Sequence, residues 1–382
     1  MRDRLVGVRR GDCRTAVSHH PVLRALAAAM LVAGVAAPGS PAQPDPKVNP
    51  RAIVIVPFDA SGLASADRWM GEAVAQMISL GLTQQPGLAQ IERDRFSRAV
   101  NPPIWSEADL SQAGQAVRAD VALYGSIGLK DSDLVLQPRL LDIKRGQTTS
   151  LPATTFGETE LVTQLAMLPV VYARALRPAL ADAASARIET AARPTASVQA
   201  LELFSRGQTA IYDGENERAV DLLLRAIEAD PRFVMASVSL GLVHAALGNR
   251  WKAAAMFRAA ILIDRNVPEP AKALGDLFLS APRNLFDQAI EAYSKAIELR
   301  PFYADAYAGL GNAYVAKGDI DRALTAYRAA IALDPFNPLT HVWLGHGYAK
   351  KRLCADADKS YRQARELDRF SMVVQEPCVV AQ

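Results

Sequence analysis

The chain has 382 residues, 50% hydrophobic and 22% charged, proportions of a folded globular protein long enough for two or three domains. Its formal charge of +3 is concentrated at the amino end, where residues 1–42 carry six arginines and two aspartates, and the remainder holds 37 basic against 38 acidic residues. A nearly neutral remainder supplies no global field to gather nucleic acid or anionic lipid, so neither is expected as a partner.

The amino end reads as a secretory signal over residues 1–42. A basic stretch precedes thirteen apolar residues, Ala25–Ala37, then helix breakers, with small Ser40 and Ala42 placed for cleavage after Ala42. Thirteen residues fall short of the ~20 that span a bilayer, so cleavage is expected over retention as an anchor, and no later segment has the length to cross. Export to the periplasm or beyond is therefore the expected localisation. Proline-rich QPDPKVNP, residues 43–50, reads as a spacer.

An α/β segment over 51–180 follows. AIVIVPF, residues 52–58, is the continuous apolar run of a strand buried on both faces. Ser65 is placed to cap a helix carrying Trp69, Met70, Val74, Met77, Ile78 and Leu82 at helical spacing. Residues 88–94 read as a short second strand. Ser106 and Asp109 open a second helix in capping-box fashion. Residues 121–129, 134–143 and 148–156 then alternate as strands joined by the polar turns KDSD and KRGQ. A mixed sheet ending in an antiparallel meander is expected. Pro138 inside a strand points to an edge or a bulge. Helix returns from Glu158 to about Arg177 with a bend at Pro169, and alanine-rich residues 181–199 form the connector.

From Ala200 the chain repeats. Gly207, Gly241, Gly275, Gly311 and Gly345 are 34, 34, 36 and 34 residues apart. Two alanine series, Ala219 to Ala357 and Ala226 to Ala364, advance by 34, 36, 34 and 34. Paired antiparallel helices account for this: a small residue at a fixed point lets backbones approach, and Leu223, Phe257, Tyr293, Tyr327 and Tyr361 fill the space beside it. Each pair has an apolar face that only a stacked neighbour can bury. The two extra residues of the long spacing belong near SAPRN, in a turn between helices.

LGNAY (Leu310–Tyr314), Ala323, Tyr327, Ala330 and Pro335 resemble the tetratricopeptide repeat signature, as do LGHGY, Ala357, Tyr361 and Ala364. Five repeats result, 200–233, 234–267, 268–303, 304–337 and 338–371. Arg206, Arg265 and Arg369 depart from the pattern. The resemblance implies a right-handed superhelix whose first helices line a concave groove for a peptide or protein partner. The groove positions it implies are Met235, Val238, Leu242, Lys272, Asp276, Leu279, Asn312, Val315, Val342 and His346. Asn312 occupies a position that often holds a peptide backbone. Ala308 stands where a carboxylate-clamp lysine would be, so free carboxyl termini are not expected ligands. The amino-terminal segment, with its strand ending in Pro-Phe, arginine after the second strand and Gly-Ser in the third, resembles the envelope domains that include the amino-terminal domain of TolB and CsgG- or FlgO-like domains. That likeness implies docking or assembly and no shared catalytic site.

Catalytic and metal constellations are absent from the sequence pattern. His341 and His346 are five apart and do not share a helix face; His244 sits at a packing position, and no histidine has metal-ligand spacing. There is no Gly-x-Ser-x-Gly elbow and no phosphate-binding glycine loop. No cofactor is expected. Trp69, Trp105, Trp251 and Trp343 are scattered, as packing residues are. Cys354 and Cys378 are an even pair in an oxidising compartment. The tail 372–382 is too apolar for a free end, and its length lets it return over the end of the superhelix, pinned by a Cys354–Cys378 disulfide.

The expected fold is thus α+β: a mixed-sheet domain followed by an all-α superhelix of about five helix pairs. The expected function is that of an exported, non-enzymatic adaptor of the cell envelope. A small-ligand sensor, or an enzyme with its site in the α/β domain, is the alternative. A pocket of convergent titratable groups at the strand ends of residues 52–143 would favour it, and the sequence reveals none.

Overall fold

The structure, a computed structural model, describes residues 50–102, 104–176, 187–188, 191, 194–368 and 378. The leader, the spacer up to residue 49, much of the connector and the apolar tail apart from Cys378 lie outside the described residues.

Strand β1 (Arg51–Ile55) lies between β2 (Leu88–Gln90) and β3 (Val121–Lys130), parallel to both. Its side chains alternate between two cores, as a strand buried on both faces requires. Ile53 joins Val74, Met77 and Ile78 of α1 (Trp69–Leu82) and Leu165 of α4 (Leu161–Leu176). Ala52, Val54 and Val56 pack with Phe96 of α2 (Arg93–Ser97) and Leu110 and Ala113 of α3 (Glu107–Ala116). The capping box forms: the Ser106 hydroxyl accepts from the Asp109 N–H while the Asp109 carboxylate accepts from the Ser106 N–H.

Three local expectations change. The chain turns through residues 61–68, with Asp67 N–H donating to Ala64, so α1 begins at Trp69 and Ser65 does not cap it. The second strand stops at Gln90 because β1 offers partners only from Arg51 to Ile53; Phe96 then buries itself from a helical turn. Pro138 sits at neither an edge nor a bulge. β3 and β4 (Asp133–Asp142) form an unbroken ladder of pairs from Val121–Asp142 to Lys130–Asp133. The other neighbour of β4 is interrupted: β5 (Gln147–Ser150) pairs with residues 139–142 and β6 (Thr154–Phe156) with residues 134–136. The Pro138 carbonyl accepts from Leu151 N–H in that gap. A residue's N and O point to the same side of a strand, so the missing proline donor falls where the partner strand breaks.

After Glu158–Glu160, one turn of 3-10 helix, α4 runs through Pro169 to Leu176. Ten helices then pair in order: α5 (Val198–Tyr212) with α6 (Asn216–Ala229), α7 (Val234–Ala246) with α8 (Arg250–Ile263), α9 (Glu269–Leu279) with α10 (Phe286–Leu299), α11 (Ala304–Lys317) with α12 (Ile320–Leu333), and α13 (Pro338–Lys350) with α14 (Cys354–Leu367). The two extra residues lie in the turn between α9 and α10, where Asn284 takes φ +52°. The corresponding turn position has positive φ in every repeat: Gly214, Gly248, Gly318 and, in the last, Arg352.

Each helix pair closes on its small residue. A Cβ on Gly241 would meet the Phe257 ring at 2.4 Å, one on Gly311 the Tyr327 ring at 2.4 Å, and one on Gly345 the Tyr361 ring at 2.4 Å. Cys354, at the start of α14, is disulfide-bonded to Cys378, which packs in the cluster of Val342, Tyr348 and Tyr361.

Candidate functional site

The first helices of successive pairs, α5, α7, α9, α11 and α13, stand side by side. The α/β portion packs against this face. Leu201 of α5 is buried in the core formed by α1 and α4. Arg206 donates to the Ala66 carbonyl at 2.7 Å, and the Ser205 hydroxyl donates to Gln76 at 3.2 Å. At the far end Phe336 packs against the core beneath α3. Arg98 pairs with Asp368 at 2.5 Å and Arg118 with Glu366 at 3.4 Å.

Between these contacts lies a cavity of about 590 Å3. One wall is the β2–α2 segment, with Glu92, Asp94, Arg95 and Arg98. The other is α9, α11 and the start of α13, with Lys272, Asp276, Leu279, Asn312 and Trp343. Four of the ten predicted groove positions therefore meet in one cavity. Met235 lines a separate cavity of about 1030 Å3 with Leu80 and Glu269. Leu242 is exposed, whereas Val238 and Val342 are buried within their own repeats. Val315 packs into the core of repeats three to five, and His346 sets its ring 5.6 Å from that of Tyr361.

Two cavity residues are tethered by the tyrosines that fill the glycine notches. Tyr293 donates to Asp276 and Tyr327 to Asn312, both at 2.7 Å. The tether engages the Asn312 carbonyl oxygen and leaves its amide N–H groups for a carbonyl. Asp276 is also ion-paired to Lys272 at 2.8 Å.

The cavity carries more carboxylates than cations. After the Arg98–Asp368 and Lys272–Asp276 pairs, Glu92, Asp94, Asp305 and Asp334 face Arg95 alone among the lining residues. Burial pushes the Asp334 carboxyl up to about 6, with Asp305 and Glu92 adding repulsion. Glu92 keeps a solvent-exposed edge, yet protein around the rest of its carboxyl raises its pKa, and Asp305 raises it further. Burial works against the Lys272 charge, but Asp276, Asp305 and Glu92 outweigh it and raise its pKa. Burial lowers the Arg95 pKa against the pull of Asp334 and Asp368, and its Nε and Nη2 are buried without hydrogen-bond partners.

The sequence does not show that residues 90–98 wall this cavity. Their one legible signal is ERDRFSR, alternating charge around a single aromatic, which reads equally as a solvated turn. Among the described residues no cluster of His, Cys, Asp or Glu is arranged to hold a metal, and no helix is long and apolar enough to cross a membrane.

Over residues 204–271 and 283–351 the helix pairs match models of the tetratricopeptide repeat. The tetratricopeptide repeat model matches residues 204–271, and the TPR repeat model matches 283–318 and 311–351. All of these lie in the helical portion. Solved structures similar to the chain include MamA, 27% identical, covering 42% of this chain and 93% of its own, with a TM-score of 0.36. TTC0263, a thermophilic TPR protein of Thermus thermophilus, is 19% identical over 45% of this chain and 93% of its own, at a TM-score of 0.42. YrrB, a TPR protein with an unusual peptide-binding site, is 21% identical over 46% of this chain and 89% of its own, at 0.35. No curated protein matches the chain.

Proposed function

We propose that the protein is an exported, non-enzymatic adaptor of the bacterial cell envelope that holds a segment of a protein partner in the concave face of its repeats. Repeats of this kind present a continuous surface for other chains. The observation that carries the reading is the cavity where Lys272, Asp276, Leu279 and Asn312 converge. Its surplus carboxylates select a partner segment bearing lysine or arginine, because a cation there offsets the repulsion among Asp305, Asp334 and Glu92 that adds to the effect of burial. Asn312 meets a peptide carbonyl, and Leu279 and Trp343 supply apolar contact. The signal-like leader supports export. The α/β portion, with its resemblance to TolB-type envelope domains, docks a second envelope component.

An array of peptides drawn from envelope proteins, probed with the full-length protein, tests this. Bound sequences should be enriched in lysine and arginine, and Asp305→Asn and Asn312→Ala should each weaken binding several-fold. Binding that shows no basic enrichment, or that ignores both substitutions, contradicts it.

A further inference from the structure

A second cleft, of about 800 Å3, opens where α/β sheets place ligands. In the strand order β2-β1-β3 the crossover through α1 leaves β1 toward β2 on one face of the sheet, and the crossover through α2 and α3 passes to β3 on the other. The carboxyl ends of β1 and of the parallel part of β3 are therefore the point where the winding reverses. Residues 57–61, Tyr124 and Gly125 line the cleft at these ends.

Its floor is built, not loose. Asp59 N–H donates to the Gly125 carbonyl at 2.9 Å and Ile127 N–H to the Asp59 carbonyl at 2.8 Å. A Cβ on Gly71 would lie 2.1 Å from the Phe58 carbonyl oxygen, and one on Gly125 would lie 2.6 Å from the Phe58 ring. Trp69 and Trp105 give the walls two indole surfaces.

Four guanidinium groups line the same space: Arg68 and Arg93 from the α/β portion, Arg206 and Arg218 from the first repeat. Only Asp59 and Glu72 oppose them among the lining residues. Each of these is engaged: Asp59 accepts the Ser61 N–H at 2.8 Å, and Glu72 accepts Arg93 at 2.9 Å. Arg206 Nη2 holds the Ala66 carbonyl, while its Nε is buried with no hydrogen-bond partner. Two neighbours in the first repeat also touch these cations, Glu202 on Arg206 Nη2 at 2.8 Å and Glu215 on Arg218 Nη1 at 2.7 Å. Each contact occupies one nitrogen of a guanidinium that carries five N–H donors. The remaining donors, beside aromatic faces, are the chemistry that recognises an anionic group on a planar or apolar body.

We infer that this strand-end cleft binds a small organic anion, its carboxylate or phosphoryl group held by Arg68, Arg206 and Arg218 and its body against Trp69 and Trp105. The walls come from both portions of the chain, so the ligand bridges the α/β portion and the first repeat.

Full-length protein is titrated with benzoate, adenosine monophosphate and inorganic phosphate, with benzamide and adenosine as uncharged counterparts, following tryptophan emission and thermal unfolding. At least one organic anion should quench emission and raise the melting temperature, and its uncharged counterpart should do neither. Arg68→Gln and Arg218→Gln, both exposed positions, should each weaken that binding about tenfold, while Arg258→Gln on α8, away from the cleft, should leave it unchanged. Which anion binds separates a carboxylate from a phosphoryl ligand; binding of inorganic phosphate alone would reduce the site to an unspecific anion hole and overturn the inference. So would silence from all three anions, equal binding of the uncharged pair, or binding that survives both cleft substitutions.

Discussion

Arg98 and Asp368, 270 residues apart in sequence, form an ion pair at 2.5 Å that ties the α/β portion to the last repeat. The carboxylate is 4% exposed and the guanidinium 46%. Removing the cation leaves a buried charge without its main partner, and such losses are costly even where the pair itself contributes little. Arg98→Ala should lower the unfolding free energy by about 1–2 kcal/mol, discounted for the exposed side of the pair. In a denaturant double-mutant cycle with Asp368→Asn the two should couple by more than about 0.5 kcal/mol; additive effects would show that the contact is not formed in solution.

Arg352 holds φ +59° at the turn position where three other repeats use glycine. An L side chain in that region costs about 1 kcal/mol or more. Arg352→Gly should therefore raise stability by about 0.5–1 kcal/mol, the gain reduced by glycine's larger unfolded-state entropy. Thermal unfolding reads this directly.

Asp334 gives a pH dependence with a definite sign. Its carboxyl is raised from the ordinary aspartate range to about 6, first by burial. The folded chain holds that proton more tightly than the unfolded chain, so the contribution to stability is full below about pH 4 and is lost as pH rises through 6. Asp334→Asn should stabilise the protein at pH 7 by about 1 kcal/mol, short of the full value because the residue is only half-buried. It should also flatten the stability profile between pH 4 and 6. The asparagine retains the acceptor for the Phe336 N–H.

The Cys354–Cys378 disulfide closes a loop with a sequence separation of 24. A loop of that length restricts the unfolded chain by about 3 kcal/mol. Alkylation of the unreduced protein should label neither cysteine, and reduction should lower the melting temperature. Two reactive thiols at these positions in the unreduced protein would contradict the bond.

The repeats were legible because their physics is local and periodic. A glycine notch, the ring that fills it and the alanines that let helices close recur at fixed spacing, so Gly311 with Tyr327 could be read directly. Asp276 and Asn312 could be placed on the groove face, but their tethering to Tyr293 and Tyr327 needed coordinates. Pro138 was misread because a proline at an edge and one at a break in the neighbouring strand look alike in sequence. The packing of residues 90–98 against the repeats was not legible at all. It depends on pairs such as Arg98–Asp368, and nothing in either local sequence specifies the other. The strand-end cleft, the kind of pocket that favours a small-ligand role for the α/β portion beside the adaptor reading, escaped for the same reason, since its arginines come from four separate segments.

The most direct test of the adaptor reading places a photoreactive benzoylphenylalanine at Leu279, on the wall of the acidic cavity, in the full-length protein expressed in its native cell. Illumination should produce a covalent adduct with another envelope protein, through a lysine- or arginine-bearing segment, and Asp305→Lys should abolish it. Crosslinks confined to residues 90–98 of the same chain would mean that the concave face serves only to pack the protein's own α/β portion, and would contradict the account.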